Sequence, residues 1–98
     1  MDDVELMKEV VAALLDDATT QIERLDRAIE QADAKECARL AHSAYGACGN
    51  VGAASLAALF SAVERKANSG EIAQCRPWIE DLSHELEKLR TEASSILQ

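Results

Sequence analysis

Apolar residues recur along the first third of the chain at the three- and four-residue steps of an amphipathic helix. From Asp3 to about Gln31 this spacing keeps one apolar stripe on one side of the helix, while charged residues occupy the other side. The stripe consists of Met7, Val11, Leu14, Ala18, Ile22, Leu25, Ile29 and Ala32. The pattern therefore predicts a long first helix with a single buried face.

A second helix is predicted from about Ala34 to Gly49 or Asn50. Asp33, with Glu36 three residues later, has the form of a capping box in which aspartate replaces serine or threonine. Rotation by about 100° per residue groups the apolar side chains on one face. That predicted core face consists of Cys37, Leu40, Ala44, Cys48 and Val51.

Two further amphipathic helices complete the pattern. The third has an apolar side made of Leu56, Leu59, Phe60, Val63 and Ala67, and the fourth repeats Ile79, Leu82, Leu86, Leu89, Ala93 and Ile96. Residues 68–70 (Asn-Ser-Gly) end the third helix, and Pro77 fits the first turn of the fourth, where its missing N–H is harmless. Residues 71–75 fit either a turn or a bent start of that helix. Short connections between four such helices predict an all-α fold, an antiparallel up-down-up-down four-helix bundle.

Length and composition refine this picture. A chain of 98 residues is expected to form one domain, residues 1–98, without room for a second core. Apolar residues make up 48% of the chain but aromatic residues only 3%, so the core must be built from Ala, Leu, Val and Ile. This small core makes a monomer adequate.

The charge pattern excludes several classes of partner. With 18 acidic and 10 basic residues the net charge is −8, which argues against nucleic acid and against an anionic membrane surface. The chain opens MDDVELMKEV, without the positive start of a signal peptide, and no apolar run is long enough to span a bilayer. We expect a cytoplasmic protein or domain.

The three cysteines, Cys37, Cys48 and Cys75, show no C-x-x-C spacing. In a cytoplasmic chain they are most simply reduced, buried, small apolar residues. Two of them point well over 90° away from the nearest histidine on the second helix, so the sequence predicts no metal site.

The most informative stretch is AHSAYGACGNVGA, residues 41–53. His42 is predicted to face water, opposite the core face, and its neighbours on the outer face are all small: Ala38, Gly46, Gly49 and Ala53. Arg39 and Asn50 flank this strip on one side and Tyr45 on the other. Each interior glycine costs about 1 kcal/mol relative to alanine, so we expect a reason outside the helix, namely room for a macromolecule to approach the imidazole.

Two plainer interpretations stand beside this one. A lone surface histidine usually has no function, and a helical glycine often permits close contact between helices. The rotation of the helix weighs against the second interpretation, because Gly46 and Gly49 lie away from the core face.

The same stretch resembles the histidine-containing phosphotransfer (HPt) domain of two-component phosphorelays. The residues that carry the resemblance run without gaps from Ala41 to Glu64: His42-Ser43-Ala44-Tyr45-Gly46, Asn50-Val51-Gly52-Ala53, Leu56-Ala57-Ala58-Leu59 and Val63-Glu64. The flanking helices extend the resemblance, more loosely, over nearly the whole chain.

The resemblance implies roles for individual residues. His42 is then the phosphoacceptor and Gly46 the small residue that clears space beside it, with Ala38, Gly49 and Ala53 in the docking surface. Tyr45 stands where the family usually has a lysine near the phosphate. Arg39, one turn before His42, is a candidate for a compensating positive charge, the Tyr45 hydroxyl is a possible hydrogen-bond donor, and Asn50 lies in the same neighbourhood.

The function expected from these residues is that of a phosphocarrier rather than an independent enzyme. The chain has no phosphate-binding glycine loop for ATP, and no carboxylate cluster beside His42 to hold Mg²⁺. The donor and the Mg²⁺ are therefore expected on a partner, a response-regulator receiver domain or a hybrid histidine kinase, and the chain needs no cofactor of its own. The alternatives are a helical adaptor that docks a receiver or kinase without being phosphorylated, and a cis-acting domain of a hybrid histidine kinase. A purely structural bundle leaves the histidine strip unexplained.

Overall fold

Four α-helices carry nearly all of the chain that the computed structural model describes, residues 3–51 and 53–96. They are α1 (Asp3–Glu30), α2 (Ala34–Val51), α3 (Ala54–Asn68) and α4 (Arg76–Ile96), with a short 3-10 helix, Ile72–Cys75, leading into α4. Successive helices pack against each other and α1 also packs against α4, so that α2 and α4 lie diagonally opposite. The described residues contain no strand. The predicted all-α four-helix bundle is confirmed.

Local hydrogen bonds set the helix ends largely as predicted. The Glu36 backbone N–H donates to Asp33 Oδ1 at 3.1 Å, which caps the start of α2. Gly70 has a φ of 81°, and the backbone N–H groups of residues 70 and 71 donate back to the carbonyls of residues 67 and 66. This pattern closes α3 with a glycine in the left-handed region. Pro77 is the second residue of α4, where its missing N–H breaks no helical bond.

Ala32 corrects one prediction. The periodicity places it on the buried stripe of the first helix, but α1 ends at Glu30, and Ala32 is exposed with a φ of 54°. The N–H groups of Ala32 and Asp33 donate to the carbonyls of Ile29 and Ala28. Ala32 therefore occupies the left-handed position that ends a helix, where glycine is the usual residue.

One apolar cluster fills the space between the four helices. Phe60, Leu25, Leu82 and Val63 are fully buried, and no polar or charged residue of the described chain is buried. The complete cluster is Ile22, Leu25, Ala28, Ile29, Cys37, Leu40, Ala41, Ala44, Cys48, Leu56, Phe60, Val63, Ala67, Cys75, Leu82 and Leu86. Alanine and cysteine dominate the contribution of α2, so this helix can lie close to its neighbours.

The first quarter of α1 extends beyond this core. α1 has 28 residues against 18 in α2, a difference of about 15 Å at 1.5 Å per residue. Met7 is consequently 53% exposed, although its spacing placed it on the buried stripe. The exposed apolar side chains of this projecting segment are Val4, Leu6, Met7 and Val10. The periodicity identified the correct face, and the shorter neighbouring helices leave that face uncovered.

The three cysteines are buried, as predicted. Cys75 Sγ donates to the Val63 carbonyl at 3.7 Å, which joins the 3-10 helix to α3. Burial raises the pKa of the Cys37 thiol to about 12, and the neighbouring Cys75 contributes to this increase. The thiol is therefore held in its neutral form at physiological pH.

The description of the core predicts that two leucines contribute very differently to the free energy of unfolding. Leu86 is 4% exposed and Leu6 51% exposed. We expect Leu86→Ala to lower the free energy of unfolding by about 2–5 kcal/mol, because it removes buried methyl groups and leaves a cavity. Leu6→Ala makes the same chemical change at the projecting end and is expected to stay within about 0.5 kcal/mol of the wild type. Urea denaturation followed by circular dichroism measures both, and an equal effect of the two substitutions would contradict this description of the core.

Candidate functional site: the exposed histidine of α2

His42 lies in the middle of α2 and projects into solvent. Its side chain is 73% exposed, whereas Ala41 on the adjacent position of the helix is fully buried. The buried side of α2 consists of Cys37, Leu40, Ala41, Ala44 and Cys48. The predicted rotation of the helix is thus confirmed over this stretch; the side chain of Val51, assigned to the same face, lies outside the described residues.

Glu64 of α3 binds the imidazole. His42 Nδ1 lies 3.0 Å from Glu64 Oε2 and 3.2 Å from Oε1. The two residues are 22 positions apart in sequence and meet because α2 and α3 pack side by side. The Glu64 side chain is only 25% exposed, so it reaches the ring from the seam between the two helices.

This contact determines which ring nitrogen is available for chemistry. A carboxylate only accepts hydrogen bonds, so the proton lies on Nδ1 and donates to Glu64. In the neutral ring Nε2 then carries the free lone pair. The arrangement leaves Nε2 as the nucleophilic nitrogen, while the hydrogen bond from Nδ1 to Glu64 fixes the orientation of the ring.

Gly46 and Gly49 form an open surface beside His42. A Cβ atom built on either glycine would meet none of the described atoms within 4 Å, apart from the helix itself. Close contact between helices therefore does not explain these glycines, and that plainer interpretation is wrong. Their effect is to leave space on the outer face of α2.

Ala38 and Ala53 are less exposed than the two glycines. Both are half-buried and pack against the core cluster, whereas the prediction grouped them with the two glycines on the bare strip. The open surface is consequently narrower than predicted and is centred on Gly46 and Gly49. The side chain of Asn50, predicted to flank it, lies outside the described residues.

The two predicted phosphate neighbours differ in where they point. Tyr45 is 46% exposed and lies one turn after His42. The Arg39 guanidinium forms an ion pair with Glu36, one turn towards the start of α2. In this structure the charged group in contact with the imidazole is therefore the Glu64 carboxylate, whereas the Arg39 cation is paired with Glu36.

A comparison with protein families identifies the chain. The sequence profile of the Hpt domain matches residues 9–92. The chain belongs to the Hpt domain family. The match spans all four helices and includes both His42 and Glu64. Searches of curated proteins and of solved structures gave no match.

Membership of the Hpt family implies phosphotransfer in two-component phosphorelays, by a carrier module rather than a conventional enzyme. In the described part of this Hpt domain, no three His, Cys, Asp or Glu side chains are grouped as a metal site would require. Among the same residues, no helix is long and apolar enough to cross a membrane.

Sequence reasoning assigned no role to Glu64. It was recognised only as the last residue of the family pattern, after Val63. Two features of the sequence are compatible with a role: Glu64 is polar on a helix whose other side is apolar, and its distance in sequence from His42 is one that two antiparallel helices of this length can bring together. Its contact with His42 required the register of α2 against α3.

The open space at Gly46 predicts a gain in stability from Gly46→Ala. The substitution restores helix propensity without a steric clash, so we expect the free energy of unfolding to rise by about 1 kcal/mol. Gly70→Ala provides the opposite case, because Gly70 has a positive φ and a Cβ there is expected to cost about 1 kcal/mol. Denaturant titration of both variants measures the difference. A loss of stability in Gly46→Ala would show that the site is not open.

Proposed function

We propose that this Hpt domain is a phosphorelay intermediate in which His42 accepts a phosphoryl group from a receiver-domain aspartate and passes it to another receiver. The observation that carries the proposal is the exposed His42 ring held through Nδ1 by Glu64. It combines an accessible nucleophile with a fixed orientation, and both are needed for in-line attack on phosphorus.

The reaction forms one bond and breaks one. The Nε2 lone pair of His42 attacks the phosphorus of the aspartyl phosphate, an N–P bond forms, and the P–O bond breaks so that the aspartate leaves as a carboxylate. The ring gains positive charge as its lone pair is donated, and the Glu64 carboxylate 3.0 Å from Nδ1 stabilises that charge. Transfer to a second receiver is the reverse sequence on a different aspartate.

The partner is proposed to supply the remaining chemistry. A receiver domain contributes the phosphoaspartate, an acidic pocket and Mg²⁺, so this chain needs no cofactor of its own. The chain contributes the nucleophile, the orienting carboxylate and the space around them. Gly46 and Gly49 let the rim of the pocket approach the helix, with Ala38 and Ala53 at the edge and Tyr45 beside the transferred group.

The primary experiment is a transfer assay with a panel of receiver domains, each phosphorylated beforehand. We expect acid-labile phosphate on the wild type and none on His42→Gln, while the variant stays folded because the side chain faces water. Gly46→Leu is expected to stay folded and to transfer at least about tenfold more slowly, since a bulky side chain on the open surface opposes docking and misaligned groups lose rate steeply.

The outcomes separate the candidate functions. Label on His42→Gln would overturn the phosphocarrier assignment to this residue. Binding of a receiver without label on the wild type would favour the adaptor, and Tyr45→Lys would then be the next variant. Label only when a histidine kinase is fused to the chain would favour a cis-acting domain. Normal transfer by Gly46→Leu would contradict the role given to the open surface.

Glu64 provides a second test of the mechanism. We expect Glu64→Ala to slow phosphorylation of His42 by about 10- to 100-fold, the loss that is typical when a residue that orients a metal-binding histidine is removed. Glu64→Gln keeps a hydrogen-bond acceptor but loses the charge, and is expected to fall between Glu64→Ala and the wild type.

Nitrogen NMR of the imidazole gives a readout beyond rate. In the wild type the proton is expected on Nδ1, and Glu64→Ala should increase the population with the proton on Nε2. An unchanged ring tautomer together with an unchanged rate would exclude an orienting role for Glu64.

A further inference from the structure

Three arginines line one surface cleft in the groove between α1 and α2. Arg24 and Arg27 come from the second half of α1, and Arg39 comes from α2, one turn before His42. The remaining lining residues are Ala28, Gln31, Glu36 and Leu40, and the cleft has a volume of about 270 Å³. We call this feature the arginine cleft.

The charge of the arginine cleft is opposite to that of the whole chain. The net charge of the protein is −8, yet the only carboxylate that lines the cleft is Glu36. That carboxylate forms an ion pair with Arg39. The hydrogen bond from Arg39, and then the positive charges of Arg39 and Arg24, hold the pKa of the Glu36 carboxyl below its ordinary value. The cleft therefore retains a positive charge.

The helical rotation of α1 explains why the cations are concentrated here. Arg24 and Arg27 are three residues apart and share one face of the helix. Glu23, Asp26 and Glu30 lie about 100° or more around the helix from Arg24, on the far side of Arg27, and none of them lines the cleft. The side of α1 that lines the cleft consists of Arg24, Arg27, Ala28 and Gln31. The α1 part of the lining therefore contains two cations and no carboxylate.

Among the described residues, neither of the two α1 arginines has an ion-pair partner. Both side chains are exposed, and no other described residue forms a salt bridge or side-chain hydrogen bond with either of them. Arg27 lies in the last turn of α1, where a cation interacts favourably with the helix dipole; Arg24 has no such role. Two exposed cations held side by side, next to a third, are better explained by a partner than by stability.

The position of the cleft relative to His42 indicates which partner. Glu36 precedes His42 by six residues, which is about 9 Å along the axis of α2 and about 120° around it, and Arg39 lies between them, about 60° around the helix from His42. A stable protein interface covers about 800 Å² on each partner, an area large enough to include both His42 and the arginine cleft. At physiological salt, repulsion from the acidic parts of this protein's own surface is screened beyond about 8 Å. The interaction of an approaching acidic partner with this region is therefore governed mainly by the nearby arginines.

We propose that the arginine cleft is the docking point for an acidic surface of the protein that exchanges phosphoryl groups with His42. The identity of that protein rests on the proposed phosphocarrier function. The cleft attracts carboxylates on the partner's surface beside its phosphoacceptor pocket and so sets the orientation in which that pocket meets the imidazole.

The experiment compares two charge-matched double variants. Arg24→Gln with Arg27→Gln removes two cations from the cleft, and Arg76→Gln with Lys88→Gln removes two from α4, which lies diagonally opposite α2. Stopped-flow association with phosphorylated receiver domains is measured at about 20 mM and about 500 mM salt, where screening is weak and strong respectively. Thermal unfolding confirms that every variant is folded.

At low salt we expect the cleft variant to associate about tenfold more slowly than the wild type, and the α4 variant to stay within about twofold. At high salt the differences should disappear. Equal rates for the two double variants at low salt would overturn the proposal, and so would the absence of binding to any receiver.

The same measurement separates this inference from the phosphocarrier function. Receiver binding that depends on Arg24 and Arg27, without phosphoryl transfer to His42, would support the cleft and reject the carrier. Transfer to His42 that is indifferent to the cleft variant would support the carrier and reject the cleft.

Discussion

The pairing of α2 with α3 is the constraint on which the rest of this structure depends. α2 presents small side chains to the core, with Ala41 fully buried and Ala44 5% exposed, and small side chains let neighbouring helices lie close together. Phe60 and Val63 of α3 are fully buried in the same core. The same pairing places Glu64 at the seam, where its carboxylate reaches His42. Packing on the buried side of α2 thus organises the chemistry on its exposed side.

The two faces of α2 show a division between stability and function. The buried face follows the usual preference for apolar residues, whereas the exposed face contains two glycines that lower helix propensity. Since a Cβ at either glycine would meet none of the described atoms, the fold does not require them. Violations of a local rule without a structural compensation are expected at functional sites, and here they surround the one histidine that a neighbouring helix holds in place.

The charge of this protein is unevenly distributed over its surface. A protein of net charge −8 repels acidic partners over most of its surface, and the arginine cleft between α1 and α2 is a local exception beside His42. Such an arrangement influences orientation and association rate more than affinity. It fits a carrier that must bind, exchange a group and dissociate.

The sequence by itself determined the four helices, their caps and the face of α2 on which His42 lies. Each of these depends on residues within a few positions of one another, such as the capping of Glu36 by Asp33, so local periodicity and hydrogen bonding suffice. Only the tertiary structure decided that Met7 is uncovered, that Glu64 binds the imidazole and that the arginines of α1 and α2 converge. Those outcomes depend on the relative length, rotation and register of packed helices, which no single helix encodes.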